Sequence, residues 1–400
     1  MIILVINCGS SSFKYQLLDM NGEKLLSSGL VERIGEAKGA FTHKKYSGGE
    51  TQVFESDEPF ADHTAALKAV LSTLTSPDKG SIKSVEEITA IGHRVVQGGE
   101  LIKQASIVGD REVEIIRNLS KLAPLHNPAN LQGIEVAKAL CPHAPSVAVF
   151  DTEFHASMPE EAFRYALPGK FYSELGIRRY GFHGTSHKFV SRKAAEVLNK
   201  PLKDLNMITC HLGNGCSMTA VKGGVSIDTS MGFTPLAGTI MGTRTGDMDP
   251  AIPVFLISQG YSPDEVDNIM NKQGGLKGVC GMNDLRDIHA AVKAGNKDAK
   301  LALDMFCYTI RRQLGALWAC LGRVDAIVFT AGVGENDDIV RQKSLEGLDC
   351  WGVTLDAGLN AKRSKEARVI SAATSRIPVL VVPTNEELEI ARTTVEVLKG

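Results

Sequence analysis

Met1-Ile-Ile-Leu-Val-Ile-Asn7-Cys-Gly-Ser-Ser-Ser12-Phe-Lys14-Tyr15 opens the chain, and the reading of these fifteen residues decides the fold. An apolar, β-branched run suited to a strand buried on both faces stops at Asn7, turns through small residues, and resumes as an extended pattern from Phe13. Gly9 and the three serines leave backbone N–H groups and hydroxyls free to face an anion, and Lys14 adds a positive charge. Taken alone, the stretch is equally an ordinary hairpin with a Ser-rich loop. The rest of the sequence has to decide between the two.

Working outward, the 400 residues suffice for two or three domains with a large core. An apolar content of 43% and a charged content of 22% are those of an ordinary globular protein. The formal charge of −2, with Lys and Arg scattered, gives no sign of a nucleic-acid or membrane-surface partner. No secretion signal is read at the N-terminus and no apolar run reaches transmembrane length; the longest helical candidate, 298–321, carries Arg311 and Arg312 in its middle. The eight cysteines show no metal spacing, which predicts reduced, mostly buried thiols in a cytoplasmic protein.

After the opening hairpin, strands are expected near 24–31, 41–46 and 51–54. A helix at 64–74, a strand at 88–94, helices at 111–121 and 128–140, and a strand at 146–150 ending on Asp151 follow. Met207-Ile-Thr-Cys-His211-Leu-Gly213-Asn214-Gly215-Cys-Ser217-Met-Thr-Ala-Val221 then repeats the opening logic about half a chain later, with more strand near 224–228. Helices are expected at 250–259, 263–271, 284–294 and 298–321, strands at 325–330 and 377–382, and a closing helix toward Lys399. Gly-rich turns sit at strand ends, where open α/β sheets place ligands.

No P-loop, dinucleotide G-x-G-x-x-G, nucleophile elbow or H-E-x-x-H helix is present. Three other Gly-rich turns remain, at 7–12, 211–215 and 332–336, and together they favour a nucleotide. Gly181-Phe-His183-Gly-Thr-Ser-His187 precedes a helix whose N-terminus would welcome an anion beside His183; His187 is expected to face solvent. Arg94 and Arg244 each stand among glycines, a setting that suits a guanidinium meeting a carboxylate or phosphate, or equally one tying down a loop. Asp151 and Glu386, each after a strand, are candidate metal or acid-base carboxylates or helix caps.

With these residues assembled, the chain resembles the acetate and butyrate kinase family, within the superfamily of actin, sugar kinases and heat-shock chaperone ATPases. The most specific stretches are Asn7-Cys-Gly-Ser-Ser-Ser-Phe-Lys14 and Gly181-Phe-His-Gly-Thr-Ser-His187. His211-Leu-Gly-Asn-Gly215, Met241-Gly-Thr-Arg244, Gly332-Val-Gly-Glu-Asn336 and Pro383-Thr-Asn-Glu-Glu387 follow in the family's order. The resemblance implies an α/β, two-domain, actin-like ATPase (ribonuclease H-like) fold with duplicated βββαβαβα cores and a cleft holding ATP. Residues 1–151 plus 386–400 would form the acetate and phosphate domain, and 152–385 the nucleotide-binding domain. It further implies a homodimer and reversible, Mg²⁺-dependent transfer from ATP to acetate, with Mn²⁺ as a possible substitute.

By the same resemblance, Asn7 and Glu386 would support the metal, and Arg94 would bind the acetate carboxylate. Lys14 with His211, Leu212, Gly213, Asn214 and Gly215 would contact ATP phosphates. Asp284, Leu285 and Arg286, with Gly332, Val333, Gly334, Glu335 and Asn336, would hold the nucleoside. His183 and Arg244 would stabilise the transferring phosphoryl group, and Asp151 is the family's catalytic acid. A carboxylate nucleophile is already ionised at neutral pH, so Asp151 is better suited to orienting metal-bound water or the Arg clamp than to removing a proton.

Three positions depart from the family pattern: Gln97 where His is frequent, Ala331 where a Gly is usual, and Cys216 where a smaller residue is common. Cys216 would make the protein thiol-sensitive if exposed. Val96, two residues beyond Arg94, would share its face in an extended strand and size the acyl pocket for acetate over propionate. A propionate or butyrate kinase would share nearly every motif. A non-catalytic actin-like nucleotide module would share the fold but have no use for two arginine clamps.

Overall fold

The protein is described here by a computed structural model covering every residue except Leu125. It divides into two compact units, Met1–Glu153 with Asn385–Gly400, and Phe154–Thr384.

The first unit is built on an eight-stranded sheet in the order β5-β4-β3-β2-β1-β6-β8-β7. Its strands are β1 (Ile2–Cys8), β2 (Ser12–Asp19), β3 (Lys24–Glu32), β4 (Ala40–Ser47), β5 (Glu50–Ser56), β6 (Ile88–Val95), β7 (Ser106–Ile107) and β8 (Ser146–Phe150). β1 pairs antiparallel with β2 and parallel with β6. The continuous apolar run of β1 follows from its place between two helical layers. Leu4 and Ile6 pack with Leu67 of helix His63–Leu74 and Ala137 of helix Asn127–Leu140. Ile3 and Val5, pointing the other way by the strand's period of two, pack with Ile390 and Ala391 of the closing helix Glu386–Lys399. Each such fully buried aliphatic side chain contributes about 1.5–3 kcal/mol. Gly92 lets the closing helix approach, since a Cβ there would stand 2.6 Å from Thr394 Oγ1 and 2.8 Å from Ile390 Cγ2.

The second unit carries β9 (Asn206–Leu212), β10 (Cys216–Lys222), β11 (Val225–Thr229), β12 (Ala326–Thr330), β13 (Arg368–Val369) and β14 (Val379–Val381) in the order β11-β10-β9-β12-β14-β13. Its first five positions reproduce β3-β2-β1-β6-β8 of the first unit: an antiparallel three-strand meander whose first strand is continued on its other side by two parallel strands. This is the repeat that the two turn motifs announce. Helix Lys297–Leu321 buries Leu303, Phe306, Ile310, Leu314 and Leu317 along one stripe and exposes Arg312. No helix among the described residues is long and apolar enough to cross a membrane.

Several elements differ from expectation. Residues 332–336 are not an open turn; Ala331–Asn336 winds into a short helix directly after β12. The helix expected at 263–271 ends at Asn268 and continues as a wider turn, Ile269–Gln273. The one expected at 111–121 stops at Asn118, with a tighter turn at Leu119–Lys121. The last strand shrinks from 377–382 to Val379–Val381, and the two-residue edge strands β7 and β13 are too short to leave a periodic signal.

Candidate active site

In the first unit the parallel strands β1, β6 and β8 bring Asn7, Arg94 and Asp151 to one sheet edge. Ile6 lies beside His93, Arg94 beside Val149, and the Asp151 N–H closes the ladder on the Val95 carbonyl at 2.9 Å. Arg94 donates through Nε to Asp151 Oδ1 at 3.0 Å and through Nη2 to Oδ2 at 2.6 Å, and through Nη1 to Asn7 Oδ1 at 3.4 Å. Asp151 is 1% exposed, so this is a desolvated fork-to-fork pair. Burial works against the charge on Arg94, but Asp151, with Glu386 and Glu387, more than offsets it and holds the guanidinium above its ordinary value. Three of the five guanidinium donors are used, which leaves donors for a further oxyanion.

Glu386 opens the closing helix behind the Asn385 cap, whose side chain accepts from Leu388 N–H at 3.1 Å. Burial pushes its carboxyl up to about 7; Arg94 opposes the rise, Asp151 and Glu387 add to it, and Lys14 opposes it. Lys14, opposite Asn7 across the hairpin, forms an ion pair with Glu387. Glu387 escapes sequence reasoning, which chose its neighbour. The signal was the doubled carboxylate itself, because successive helix N-terminal positions face different groups. The set of Asn7 carbonyl oxygen and Glu386 carboxylate offers hard oxygen donors amid surplus negative charge, which fits Mg²⁺. Val96 lies one residue past β6 and is buried, its N–H donating to Asn130 Oδ1 at 3.1 Å.

In the second unit His183 takes a left-handed conformation, φ 58 and ψ 28, at the start of helix Gly184–Val197. Its ring stacks on His211 with centroids 4.2 Å apart, and His211 Nδ1 pairs with Ser186 Oγ at 2.8 Å. His187 does not face solvent: it is fully buried between Thr209 Oγ1 at 2.7 Å and Ser217 Oγ at 2.9 Å. Burial, with His155 and His211 nearby, drives its basicity well below the ordinary range and keeps it neutral. The motif misled because a polar helix face reads as solvated unless the strand partners Thr209 and Ser217 are known.

The turn from β9 to β10 carries His211, Leu212, Gly213, Asn214 and Gly215, with Gly213 N–H donating to Gly215 O at 3.0 Å. A Cβ on Gly215 would lie 3.4 Å from His183 Nε2 and 3.6 Å from Arg244 Nη1, so both cationic or donor groups converge on this bare backbone. Arg244 also donates to Pro235 O at 3.3 Å. Burial lowers its pKa, and among the described residues no carboxylate is paired with it as Asp151 is with Arg94. Cys216 is buried and its thiol is pushed up to about 12 by desolvation, so the exposure on which thiol sensitivity depends is not met.

The remaining expected contacts lie on two helices. Asp284 caps helix Leu285–Lys293 through Arg286 N–H at 2.8 Å, and Arg286 folds back on it. The helix Ala331–Asn336 holds Gly332, Val333, Gly334, Glu335 and Asn336; Glu335 Oε1 accepts from Ala331 N–H at 2.9 Å and Thr384 N–H at 3.1 Å, so its carboxylate braces backbone. His289 Nε2 meets Asp337 Oδ2 at 2.7 Å and ties the two helices together.

Comparison with known proteins follows the same outline. The family model described as the acetokinase family matches residues 2–392. An acetate kinase of Oleidesulfovibrio alaskensis is 58% identical over 402 residues, with 100% of both chains covered. The crystal structure of Porphyromonas gingivalis acetate kinase superposes with a TM-score of 0.92 at 42% identity, covering 99% of each chain. A propionate kinase from Francisella tularensis superposes with a TM-score of 0.89 at 38% identity, covering 98% of each.

Proposed function

We propose that this chain, which belongs to the acetokinase family, transfers the terminal phosphoryl group of ATP to acetate, reversibly and by direct in-line displacement. The observation that carries the reading is Arg94, braced side-on by Asp151 and still holding unused donors for a small carboxylate. A guanidinium fixed in this way is a clamp whose orientation is set before substrate arrives.

Acetate enters ionised, so one of its oxygens attacks the γ-phosphorus, the bond to the ADP oxygen breaks, and no proton has to move. Asp151 then serves by orienting Arg94. We assign His183 and Arg244, converging on Gly215, to the charge on the equatorial oxygens. In the second unit we assign the backbone of 211–215 to the ATP phosphates and the helix starts at Asp284 and Ala331 to the nucleoside; in the first, Lys14 is likewise a candidate for phosphate. Asn7 and Glu386 would hold Mg²⁺, or Mn²⁺ in its place, which when bound neutralises phosphate charge. Eight free cysteines accord with a reducing, cytoplasmic setting.

A second copy of this chain is assigned to helix Ala251–Ser258, whose Ala-Ile-Pro-Val-Phe-Leu-Ile-Ser sequence buries no residue of its own. A homodimer accounts for that apolar surface.

The test is hydroxylamine trapping of acyl phosphate after mixing the protein with ATP, Mg²⁺ and acetate, propionate or butyrate. Acetyl hydroxamate is expected to form fastest; no hydroxamate from any acid overturns the reading. The likeness to a propionate kinase keeps that acid as the alternative substrate. If Val96 bounds the acyl pocket, Val96→Ala raises the propionate-to-acetate ratio of kcat/KM by roughly 10-fold, one methylene being worth about 1–3 kcal/mol. An unchanged ratio in a folded variant removes Val96 from the pocket.

A further inference from the structure

A turn can face an anion only if its N–H groups point outward, and that requires its carbonyls to be held elsewhere. In the turn after β1 the two carbonyls at issue belong to Cys8 and Gly9, and each is taken by a side chain from a helix packed on one face of the sheet. His63, the first residue of helix His63–Leu74, donates from Nε2 to Gly9 O at 2.8 Å. Asn130, in the first turn of helix Asn127–Leu140, donates from Nδ2 to Cys8 O at 2.8 Å. Both side chains are almost wholly buried, His63 at 5% and Asn130 at 4% exposure, a setting in which a carbonyl is not left unpaired.

Asn130 does a second thing with the same carboxamide. Its Oδ1 accepts the Val96 N–H, so one side chain joins the turn beyond Asn7 to the segment two residues beyond Arg94. Asn127, one helical turn earlier, repeats the pattern on Gln97, accepting its N–H and donating to its carbonyl, both at 3.0 Å. Replacing Asn130 therefore frees two strand ends at once.

We propose that His63 and Asn130 are positioning residues for phosphoryl transfer: the Gly9 N–H closes the hairpin on Ser12 O at 2.8 Å, and His63 and Asn130 hold the Gly9 and Cys8 carbonyls away so that the turn presents its Ser10 and Ser11 N–H groups to phosphate, while Asn130 sets the Arg94 strand end in register with it. The proposal rests on the reading of that turn as phosphate-facing. Neither side chain touches substrate.

The test uses the full chain. His63→Ala is expected to lower kcat about 10-fold or more with the acetate KM within about threefold of the parent, while His63→Gln, whose amide nitrogen reaches where Nε2 does, recovers most of the loss. Asn130→Ala is expected to lower kcat and also raise the acetate KM, because it releases Val96. Amide exchange at Gly9, whose N–H is held by Ser12 O at 2.8 Å, should quicken in both alanine variants and return toward the parent rate in His63→Gln. Parent-like kcat in a folded His63→Ala protein, or equal losses in the Gln and Ala variants, overturns the proposal. If the parent traps no acyl phosphate, the reading of the reaction fails and amide exchange alone decides the inference: unchanged exchange at Gly9 overturns it.

Discussion

Arg94 and Arg244 look alike in sequence, each an arginine among glycines, yet they stand in opposite electrostatic settings. Arg94 is paired with Asp151 and held above its ordinary pKa, whereas burial lowers that of Arg244. A braced guanidinium is suited to binding an anion in the ground state; one lacking a fixed counter-charge gains most when negative charge develops in front of it. Arg94→Ala is therefore expected mainly to raise the acetate KM, and Arg244→Ala mainly to lower kcat, each losing about 2–4 kcal/mol of transition-state stabilisation. Steady-state kinetics leaving both variants within about threefold of the parent would reject the assignment. The sequence marks both arginines because glycine neighbours and strand ends are local features. That Asp151 orients the Arg clamp was expected from its chemistry and not from any local pattern, since the pairing spans 57 residues and exists only through the β6 and β8 register. His187 shows the same limit, its partners Thr209 and Ser217 being supplied by strands the motif does not contain.

At the scale of elements, the short helix after β12 begins on a residue in an unfavourable conformation. Ala331 has φ 65, a left-handed angle that costs an L-residue about 1–2 kcal/mol and that glycine adopts freely. Ala331→Gly should stabilise the protein by roughly 0.5–1 kcal/mol after the added freedom of the unfolded chain is subtracted, raising Tm by about 1–3 °C in calorimetry. A lower Tm would mean that the alanine methyl packs usefully. Across the same region His289 joins helix Leu285–Lys293 to the Asp337 cap, and its pKa is raised by the hydrogen bond to Asp337, against burial, with Asp337 and Asp338 adding charge. A histidine raised on folding contributes stability that is fully present below its ordinary pKa of 6.5 and is lost as pH rises through the folded value. Urea titrations should therefore show His289→Ala destabilised by on the order of 0.5–1 kcal/mol near pH 5.5 and by less near pH 8.5. A deficit that grows with pH would contradict the ion pair. Helices were expected at 284–294 and 298–321, close to where the Asp284 and Asn296 caps start them, but the helix Asp338–Leu345 capped by Asp337 was not, and the left-handed start at Ala331 showed only as an alanine where the family usually has glycine.

For the whole molecule, the two sheets share one plan because one sequence pattern, apolar strand, small polar turn, strand, occurs twice, and each copy recruits parallel strands beside its first. That duplication was readable because burial on both faces forces a continuous apolar run, a stronger signal than alternation. The surface left apolar needs a different reading. Helix Ala251–Ser258 exposes Val254 at 68% and Phe255 at 61%, and nearby Tyr261 is exposed as well. A monomer with these residues in water would forgo about 25 cal/mol for each Å² that a partner could cover. The proposed second copy would cover it, and an isologous contact places this helix against its counterpart or against a neighbouring patch of the same face. Phe255→Glu puts a charge into such an interface, where desolvating it unpaired costs several kcal/mol, but leaves it harmlessly solvated in a monomer. Sedimentation at micromolar concentration is expected to give a dimer for the parent and a monomer for Phe255→Glu, with the variant's circular dichroism unchanged. A parent that sediments as a monomer would remove the second copy altogether, and a variant that stays dimeric would move the interface to another face.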